Sequence, residues 1–218
     1  MIKTTKTNVL TMNYNIIEER LERNNKERRE SMAGSRFNPN DADKLMSTKR
    51  KELIPPNMVI EMLDLNMKDT VADLGAGNGY FTLPIAKGVK KTVYAVDIEP
   101  KMLEMLKVNA VEEQIDNINY VVSDIENIQL DLVNKALITF VIHEVPNLDK
   151  ALCEIKRILK PGGQLLLLEW EAVETEMGPP LHERIPSQKL GELLRGNGFD
   201  IEVTHLNPAI YAIEAKTV

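Results

Sequence analysis

The sequence predicts an α/β protein with a doubly wound, mostly parallel sheet of seven strands, and three observations support that prediction. From Thr70 onward, short apolar runs alternate with amphipathic helical segments, the pattern of right-handed crossover units. The first of those runs ends in a glycine-rich turn before a helix. The last two runs, residues 200–205 and 211–215, have no helix between them, so we expect an antiparallel final strand.

Each strand is predicted from a local apolar run in the sequence. The run at residues 135–142 is nearly continuous, so we expect that strand to be buried on both faces of the sheet. Strands are predicted at residues 70–74, 93–96, 119–122, 135–142, 164–170, 200–205 and 211–215. Helices are predicted at residues 57–65, 80–87, 101–108, 148–159 and 187–195. Pro161, Gly162 and Gly163 are expected to end the fourth of these helices.

The segment before the first strand differs from the rest of the chain. Residues 1–54 are polar and basic, and residues 13–30 have helical spacing with a narrow apolar stripe. We therefore predict an N-terminal helical extension or lid, residues 1–54, in front of one domain, residues 55–218.

Composition and charge argue against several classes of protein. The chain has 218 residues, 43% of them hydrophobic, and no run approaches the length of a membrane span. The chain has a single cysteine, Cys153, so an intramolecular disulfide is excluded. Cys153 falls in a helical pattern, where we expect it to be buried. No secretory signal is evident. These features favour the cytoplasm. The net charge is −6, with +4 in residues 1–54 and −10 in the remainder, which argues against broad nucleic-acid binding.

The strongest chemical signal is the turn that contains Asp73, Gly75, Gly77 and Gly79. Alternate glycines permit positive φ and let a ligand lie against bare backbone. A dinucleotide turn would place its third glycine where Tyr80 stands, and Asp73 would repel a pyrophosphate but suits an ammonium group. The turn therefore favours a cationic ligand such as S-adenosylmethionine, with its amino group and sulfonium, over NAD.

Two further aspartates stand at the ends of neighbouring strands. Asp97 ends the second strand, where an acid accepts ribose hydroxyls; NAD and S-adenosylmethionine would both use it. Asp124 follows the third strand and is placed to accept from an adenine amino group, beside Ile125. An ordinary strand-end turn is the alternative for Asp124.

The segments VADLGAGNGYFT, YAVDIEP, VSDIE and LKPGGQLLLLEW resemble successive motifs of class I S-adenosylmethionine-dependent methyltransferases, over about residues 50–218. Within them the chain is similar to the ubiquinone/menaquinone-biosynthesis (methyltransferase type 11) branch. The resemblance implies a Rossmann-like fold and S-adenosylmethionine as cofactor. It also implies roles for particular residues: Asp73, Gly75, Ala76, Gly77 and Gly79 at the methionine end, Asp97 and Ile98 at the ribose and adenine, Asp124 and Ile125 at the adenine edge, and Phe140 and Val141 beside the sulfur.

The resemblance extends to a lead-in, FNPNDADKLMSTKRKELIPP, which in some relatives lies across the cofactor. There Met46 would contact the adenine or the sulfur, and Arg50 a carboxylate, although packing and surface charge explain both residues as well. The sequence departs from the family where Asn134 and Lys135 stand in place of an "FD" pair that opens the fourth strand.

Methyl transfer needs alignment more than chemical activation, so catalytic residues are harder to identify than cofactor residues. His143 and Glu144 follow the fourth strand at the sheet edge and are our candidates, His143 as base or hydrogen-bond partner. A turn-capping role is the alternative. Glu169 and Glu171 would contact the acceptor or the N-terminal lid, or simply be solvated at the strand end. Residues 182–184 fall in a loop expected to cover the acceptor. No metal site is predicted.

The leading hypothesis is methyl transfer to a small-molecule acceptor. Three alternatives stay open: an RNA or protein methyltransferase anchored by the basic N-terminal segment, a module that binds S-adenosylmethionine without transferring methyl, and an NAD-dependent dehydrogenase. The sequence leaves the acceptor atom and the oligomeric state, monomer or homodimer, undecided.

Overall fold

A computed structural model describes residues 48–218, and its strands form one seven-stranded sheet with the order β3-β2-β1-β4-β5-β7-β6. The strands are β1 Val71–Leu74, β2 Val93–Asp97, β3 Ile118–Val122, β4 Val133–Thr139, β5 Leu159–Trp170, β6 Phe199–Asn207 and β7 Ile210–Thr217. The pairs from β3 across to β5 are parallel, and β7 runs antiparallel to both of its neighbours. The predicted Rossmann-like architecture with a reversed final strand is confirmed.

Helices cover both faces of this sheet. They are α1 Thr48–Leu53, α2 Pro56–Met62, α3 Thr82–Gly88, α4 Pro100–Glu112, α5 Leu148–Ile158 and α6 Ser187–Gly196. Successive side chains of β4 point to opposite faces of the sheet, so the hydrophobic core has two parts. Ala136 and Ile138 pack with α5 and α6 on one face, whereas Leu137 packs with α2 and α3 on the other. None of the helices in residues 48–218 is long and apolar enough to cross a bilayer. The predicted helix at residues 13–30 lies outside the described residues.

Two strand boundaries differ from the prediction by three residues or more. β4 ends at Thr139 instead of residue 142, because Phe140 has φ of +58° and turns the chain into a short 3-10 helix, Ile142–Glu144. β5 begins at Leu159, so Pro161, Gly162 and Gly163 do not separate helix from strand. They form a bulge, across which the pairing register moves from Val133↔Leu159 to Lys135↔Gln164.

The prediction for Cys153 is wrong, since its side chain is exposed. Helix α5 buries Ala151, Leu152 and Ile155 against the sheet, and position 153 falls on the opposite side of the helix.

The order of the strands decides where a ligand can bind. From β1 the chain adds β2 and β3 on one side of the sheet, and it then returns to add β4 on the other side of β1. The connections after β1 and β4 therefore lead in opposite directions, and a crevice opens between the carboxyl ends of these two strands.

Candidate cofactor and acceptor site

A cavity of about 820 Å³ lies at the carboxyl ends of β1, β2, β4 and β5. That volume is in the upper part of the range for small-molecule sites. The structure brings eleven predicted cofactor residues to its wall, together with both predicted catalytic residues: Arg50, Asp73, Gly75, Ala76, Gly77, Asp97, Ile98, Asp124, Ile125, Phe140, Val141, His143 and Glu144. Met46 lies outside the described residues.

The glycine turn follows β1 directly, and its geometry requires glycine. Gly75 and Gly79 have φ of +80° and +100°, in the left-handed region that other residues avoid. A Cβ on Gly75 would lie 2.5 Å from Cγ2 of Val141, so a side chain there would collide with the cavity wall. Gly79 does not line the cavity; a Cβ there would lie 2.9 Å from Cγ of Leu106 on α4. Gly79 therefore allows helix packing and does not form part of the ligand surface.

Asp97 at the end of β2 holds the glycine turn in place. Its Oδ2 accepts a hydrogen bond from the backbone N of Gly77 at 2.8 Å, and its Oδ1 accepts one from the N of Glu99 at 2.9 Å. Burial raises the pKa of Asp97, although these backbone hydrogen bonds oppose the shift. Each carboxylate oxygen has a second lone pair, so Asp97 is able to accept hydroxyl groups from the cavity as well.

Asp73 at the end of β1 is buried, with 1% of its surface exposed. Its Oδ2 accepts a hydrogen bond from Thr82 Oγ1 at 2.6 Å, while Oδ1 has no hydrogen-bond partner among the described residues. Burial raises the pKa of Asp73 to about 7, against the hydrogen bond from Thr82 and the charge of Arg50, which lower it. A cationic donor entering the cavity would satisfy Oδ1 and favour the ionised form.

Arg50 extends from α1 into a group of aromatic rings. Its guanidinium carbon lies 5.2 Å from the ring centre of Tyr80, 5.3 Å from that of Phe140 and 5.9 Å from that of Phe81. The hydroxyl of Tyr80 donates to the carbonyl of Ile54 at 2.9 Å, which fixes that ring beneath the helix. The described end of the N-terminal segment therefore covers the glycine turn.

The end of the cavity away from Arg50 has the features expected of a nucleoside-binding surface. Ile98 is 41% exposed and lines the cavity, so it offers an apolar surface to a ligand. Oδ1 of Asp124 accepts from the backbone N of Glu126 at 2.9 Å, so this residue does serve its turn. It lines the cavity at the same time, and the two interpretations of Asp124 are compatible.

His143 lies in the 3-10 helix after β4 and contacts a residue on the next strand. Its Nδ1 is 2.8 Å from Oε2 of Glu169, and its Nε2 is 4.0 Å from Oε1 of Glu144. Glu169 is 0% exposed, so the expected alternative of a solvated strand end is wrong for this residue. Its neighbour Trp170 donates its backbone N–H to Glu169 Oε1 at 2.8 Å.

The loop after β5 forms a roof over one side of the cavity. Arg184 is buried and donates to five oxygens of this loop, on Pro179, Glu171, Val173, Thr175 and Met177, and its guanidinium lies 5.4 Å from the ring of Trp170. Of the predicted acceptor loop, Glu183 lines the cavity, whereas the side chain of His182 is 81% exposed.

Sequence reasoning missed several wall residues, among them Asn78, Met102, Thr139 and residues 176–180. Nothing in their residue types marks them as ligand contacts. Only a position at the end of a strand, as for Thr139, could have indicated that such a residue lines the cavity.

The cofactor implied by the motif resemblance fits these residues. Within the described part of the chain, buried Asp73 Oδ1 is an acceptor without a partner, and it lies beside a turn that excludes a side chain at position 75. This arrangement suits an ammonium group close to the backbone. Asp97 and exposed Ile98 provide a hydroxyl acceptor and an apolar surface for a nucleoside.

Comparisons with known proteins agree with the geometry. Residues 72–167 match a family model described as a methyltransferase domain. Over 122 residues the chain is 38% identical to the ubiquinone/menaquinone biosynthesis C-methyltransferase UbiE of Hydrogenovibrio crunogenus, covering 52% of this chain and 47% of that protein. Over 142 residues it is 35% identical to the protein of the same name from Bartonella bacilliformis, covering 58% and 52%.

The chain thus spans about half the length of the curated relatives it matches. Among solved structures, a SAM-dependent methyltransferase from Aquifex aeolicus superimposes with a TM-score of 0.79 at 27% identity. That match covers 84% of this chain and 100% of the other.

Proposed function

Because residues 72–167 match a methyltransferase domain and the cavity residues suit S-adenosylmethionine, we propose that this chain is a class I S-adenosylmethionine-dependent methyltransferase that transfers the methyl group of that cofactor to a small-molecule acceptor. One observation of the site supports the proposal above all others. Oδ1 of Asp73, which has no hydrogen-bond partner among residues 48–218, lies buried beside a turn that requires glycine at position 75, which is a place for a cation next to backbone.

The proposed cofactor contacts follow the wall of the cavity. Asp73 and the turn Gly75, Ala76 and Gly77 would hold the methionine end, with Arg50 above it, and Gly79 supports the turn through its packing. Asp97 and Ile98 would hold the ribose and one adenine face, and Asp124 and Ile125 the adenine edge. Phe140 and Val141 would lie beside the sulfur. We extend the proposal to residues 1–54 as a lid, of which α1 with Arg50 is the described part.

The bound cofactor supplies an activated methyl group on a sulfonium, so the protein needs to align the acceptor and exclude water. The roof formed by residues 171–184 and the ring of Trp170 would exclude water on the acceptor side. His143 and Glu144 would contact the acceptor, since both line the cavity next to Phe140.

A small acceptor is favoured over RNA or protein because the acceptor side is roofed by a loop fastened from within by Arg184. The names of the relatives point in the same direction, as biosynthetic C-methyltransferases of ubiquinone and menaquinone. We propose the cytoplasm as the location, on the composition of the chain, and we leave monomer and homodimer open.

Calorimetric titration of the full chain tests cofactor binding. S-adenosylmethionine and S-adenosylhomocysteine should bind with dissociation constants of roughly micromolar order, and NAD and NADP should give no binding heat. Preferential NAD binding would overturn the proposal.

A second experiment tests transfer. The protein is incubated with methyl-labelled S-adenosylmethionine and, separately, with a small-molecule extract, total RNA and total protein. Label should appear in extracted small molecules. Label confined to the RNA or protein precipitate would favour a macromolecular substrate, and binding without transfer to any fraction would favour a non-catalytic module.

A further inference from the structure

Two turns on the cavity wall come from strands that are not neighbours in the sheet. The β3 turn, residues 123–128, provides the proposed adenine edge, and the β4 turn, residues 140–147, provides the proposed acceptor wall. Because β2 and β1 lie between these strands, β3 and β4 are about 14 Å apart, three times the ordinary strand spacing. Strand pairing therefore does not connect the two turns, and communication between them needs a contact of its own.

The side chain of Glu126 makes such a contact. Its Oε1 accepts a hydrogen bond from the backbone N of Asn147 at 2.9 Å, although 21 residues separate the two in the sequence. Its Oε2 lies 3.6 Å from Nζ of Lys150, and 16% of the Glu126 side chain is exposed. The carboxylate therefore bridges the two turns, and a lysine on α5 balances its charge.

The contact completes the cap of the helix that follows the β4 turn. Asn147 precedes α5, and its side-chain oxygen accepts from the backbone N of Lys150 at 3.2 Å. The N–H of a capping residue has no partner within its own helix, and an acidic side chain three residues later commonly accepts it. Here that position holds Lys150, which has no acceptor, and Glu126 takes its place from another turn. A carboxylate at a helix N-terminus is also electrostatically favourable.

The backbone of Glu126 is part of the proposed adenine edge. Its N donates to Oδ1 of Asp124 at 2.9 Å, and the N of Asn127 donates to the carbonyl of Asp124 at 3.0 Å. Asp124 lines the cavity, so a nucleoside that contacts it would fix the turn from which Glu126 extends. A continuous series of contacts thus leads from the nucleoside through Asp124 and Glu126 to Asn147.

We propose that Glu126 is a positioning residue that transmits occupancy of the nucleoside subsite to the β4 turn, so that cofactor binding orders the wall on the acceptor side. The inference rests on the proposed function, because it takes this cavity as the cofactor site. Coupling between two sites is reciprocal, so loss of the contact should also weaken nucleoside binding, about fivefold or more for a coupling of typical size.

A second attachment of the β3 turn provides a matched control. Oε2 of Glu154 on α5 accepts from the backbone N of Ile128 at 3.1 Å, and Arg157 donates to the carbonyl of Ile128. These hydrogen bonds fasten the β3 turn without involving the β4 turn. Glu154→Ala should therefore loosen the β3 turn and leave the response of the β4 turn to a saturating nucleoside intact.

Adenosine is the probe, because it carries the nucleoside and lacks the methionine end of the cofactor. Amide hydrogen exchange of the full chain is measured with and without saturating adenosine, and the ratio of the two rates is compared at residues 123–128 and 145–150. In wild type, adenosine should slow exchange in both segments. In Glu126→Ala it should slow exchange in the β3 turn only. Glu126→Gln should restore the response at residues 145–150, because its amide oxygen also accepts from the N of Asn147.

This ratio separates positioning from support alone, because a side chain that only supports the fold would change exchange with and without ligand alike. Four results would overturn the inference while the proposed function survives: a wild-type response confined to the β3 turn, a response at residues 145–150 that persists in Glu126→Ala, no response in Glu126→Gln, or an equal loss in Glu154→Ala. The first needs no variant, so it is decisive even if Glu126→Ala does not fold.

The choice of ligand distinguishes this inference from the proposed function. If S-adenosylhomocysteine binds and adenosine does not, the same ratios are measured with S-adenosylhomocysteine, and the same four results count against the inference. Failure to bind either compound would instead overturn the proposed function.

Discussion

Oδ2 of Asp97 lies 2.8 Å from the backbone nitrogen of Gly77, twenty residues earlier, so one carboxylate connects the end of β2 to the glycine turn after β1. Asp97 therefore shapes the turn before any ligand arrives. A residue assigned to ribose binding from its position at a strand end has a structural role at the same site.

The structural role of Asp97, together with its proposed role at the ribose, predicts two effects of Asp97→Ala. Loss of the carboxylate that we propose as the acceptor for the ribose hydroxyls should weaken binding of S-adenosylhomocysteine about tenfold to a thousandfold, equivalent to roughly 2–4 kcal/mol. The backbone N–H groups of Gly77 and Glu99 also lose their acceptor, so hydrogen exchange in the turn should rise without ligand. Calorimetry and hydrogen exchange measure the two effects, with exposed Asp131→Ala as the control. Unchanged affinity would mean that another residue holds the ribose.

The raised pKa of Asp73 predicts how stability depends on pH. Its pKa is about 7 in the folded protein, above the ordinary value of about 3.9. The folded state thus holds a proton that the unfolded state releases, and this contribution to stability is fully present below about pH 4 and is lost as pH rises through about 7. Urea unfolding at a series of pH values should show a smaller decrease for Asp73→Asn than for wild type over this window.

Asp73 should also release a proton when ligand binds. An ammonium group next to Oδ1 favours the carboxylate, so at pH 6.5 binding of S-adenosylhomocysteine should expel part of a proton. Calorimetry in two buffers with different ionisation enthalpies measures that proton. The variant Asp73→Asn should bind more weakly and release less, and equal release by both proteins would contradict the predicted ammonium contact.

Gly75→Ala should damage both the turn and the cavity. Its φ of +80° disfavours any side chain, at a cost of roughly 1–2 kcal/mol for an L-residue in this region. The new Cβ would also meet Val141. We expect lower stability in urea and loss of S-adenosylhomocysteine binding. Gly196→Ala is the matched control, because a Cβ at that helix end meets nothing within 4 Å and should have little effect.

We expect Arg184 to hold the loop of residues 171–180 in place over the cavity. Its guanidinium is satisfied by oxygens of residues 171–179, and lysine cannot reproduce that fork. Arg184→Lys should therefore increase hydrogen exchange in residues 171–180 and lower the free energy of unfolding by about 3 kcal/mol, the order of one or two hydrogen bonds to a charged group. Exposed Arg195→Ala should change neither quantity appreciably. Unaltered exchange in Arg184→Lys would show that other contacts hold the loop.

The lid hypothesis predicts protection of α1 by ligand. Hydrogen exchange of a peptide covering residues 48–54 should slow when S-adenosylhomocysteine binds, together with that of the glycine turn. Arg50→Met keeps much of the length of the side chain and removes its charge, so it should weaken binding and reduce the protection of α1. If only the glycine turn is protected in wild type, α1 is not part of a closing lid.

The sequence by itself predicted the architecture, which the structure confirms, and the residues that we propose for the cofactor end of the site. Alternating strand and helix patterns, the turn from Gly75 to Gly79, and the strand-end aspartates are all local signals, readable over a few residues. Only the tertiary structure decided which residues meet at the other end, which we propose for the acceptor. His143 and Glu169 are 26 residues apart, and they meet because parallel pairing of Thr139 with Leu168 brings the residues after β4 and the end of β5 to one edge. Arg184 likewise fastens a loop through hydrogen bonds whose partners have no sequence signature, because backbone oxygens exist at every position.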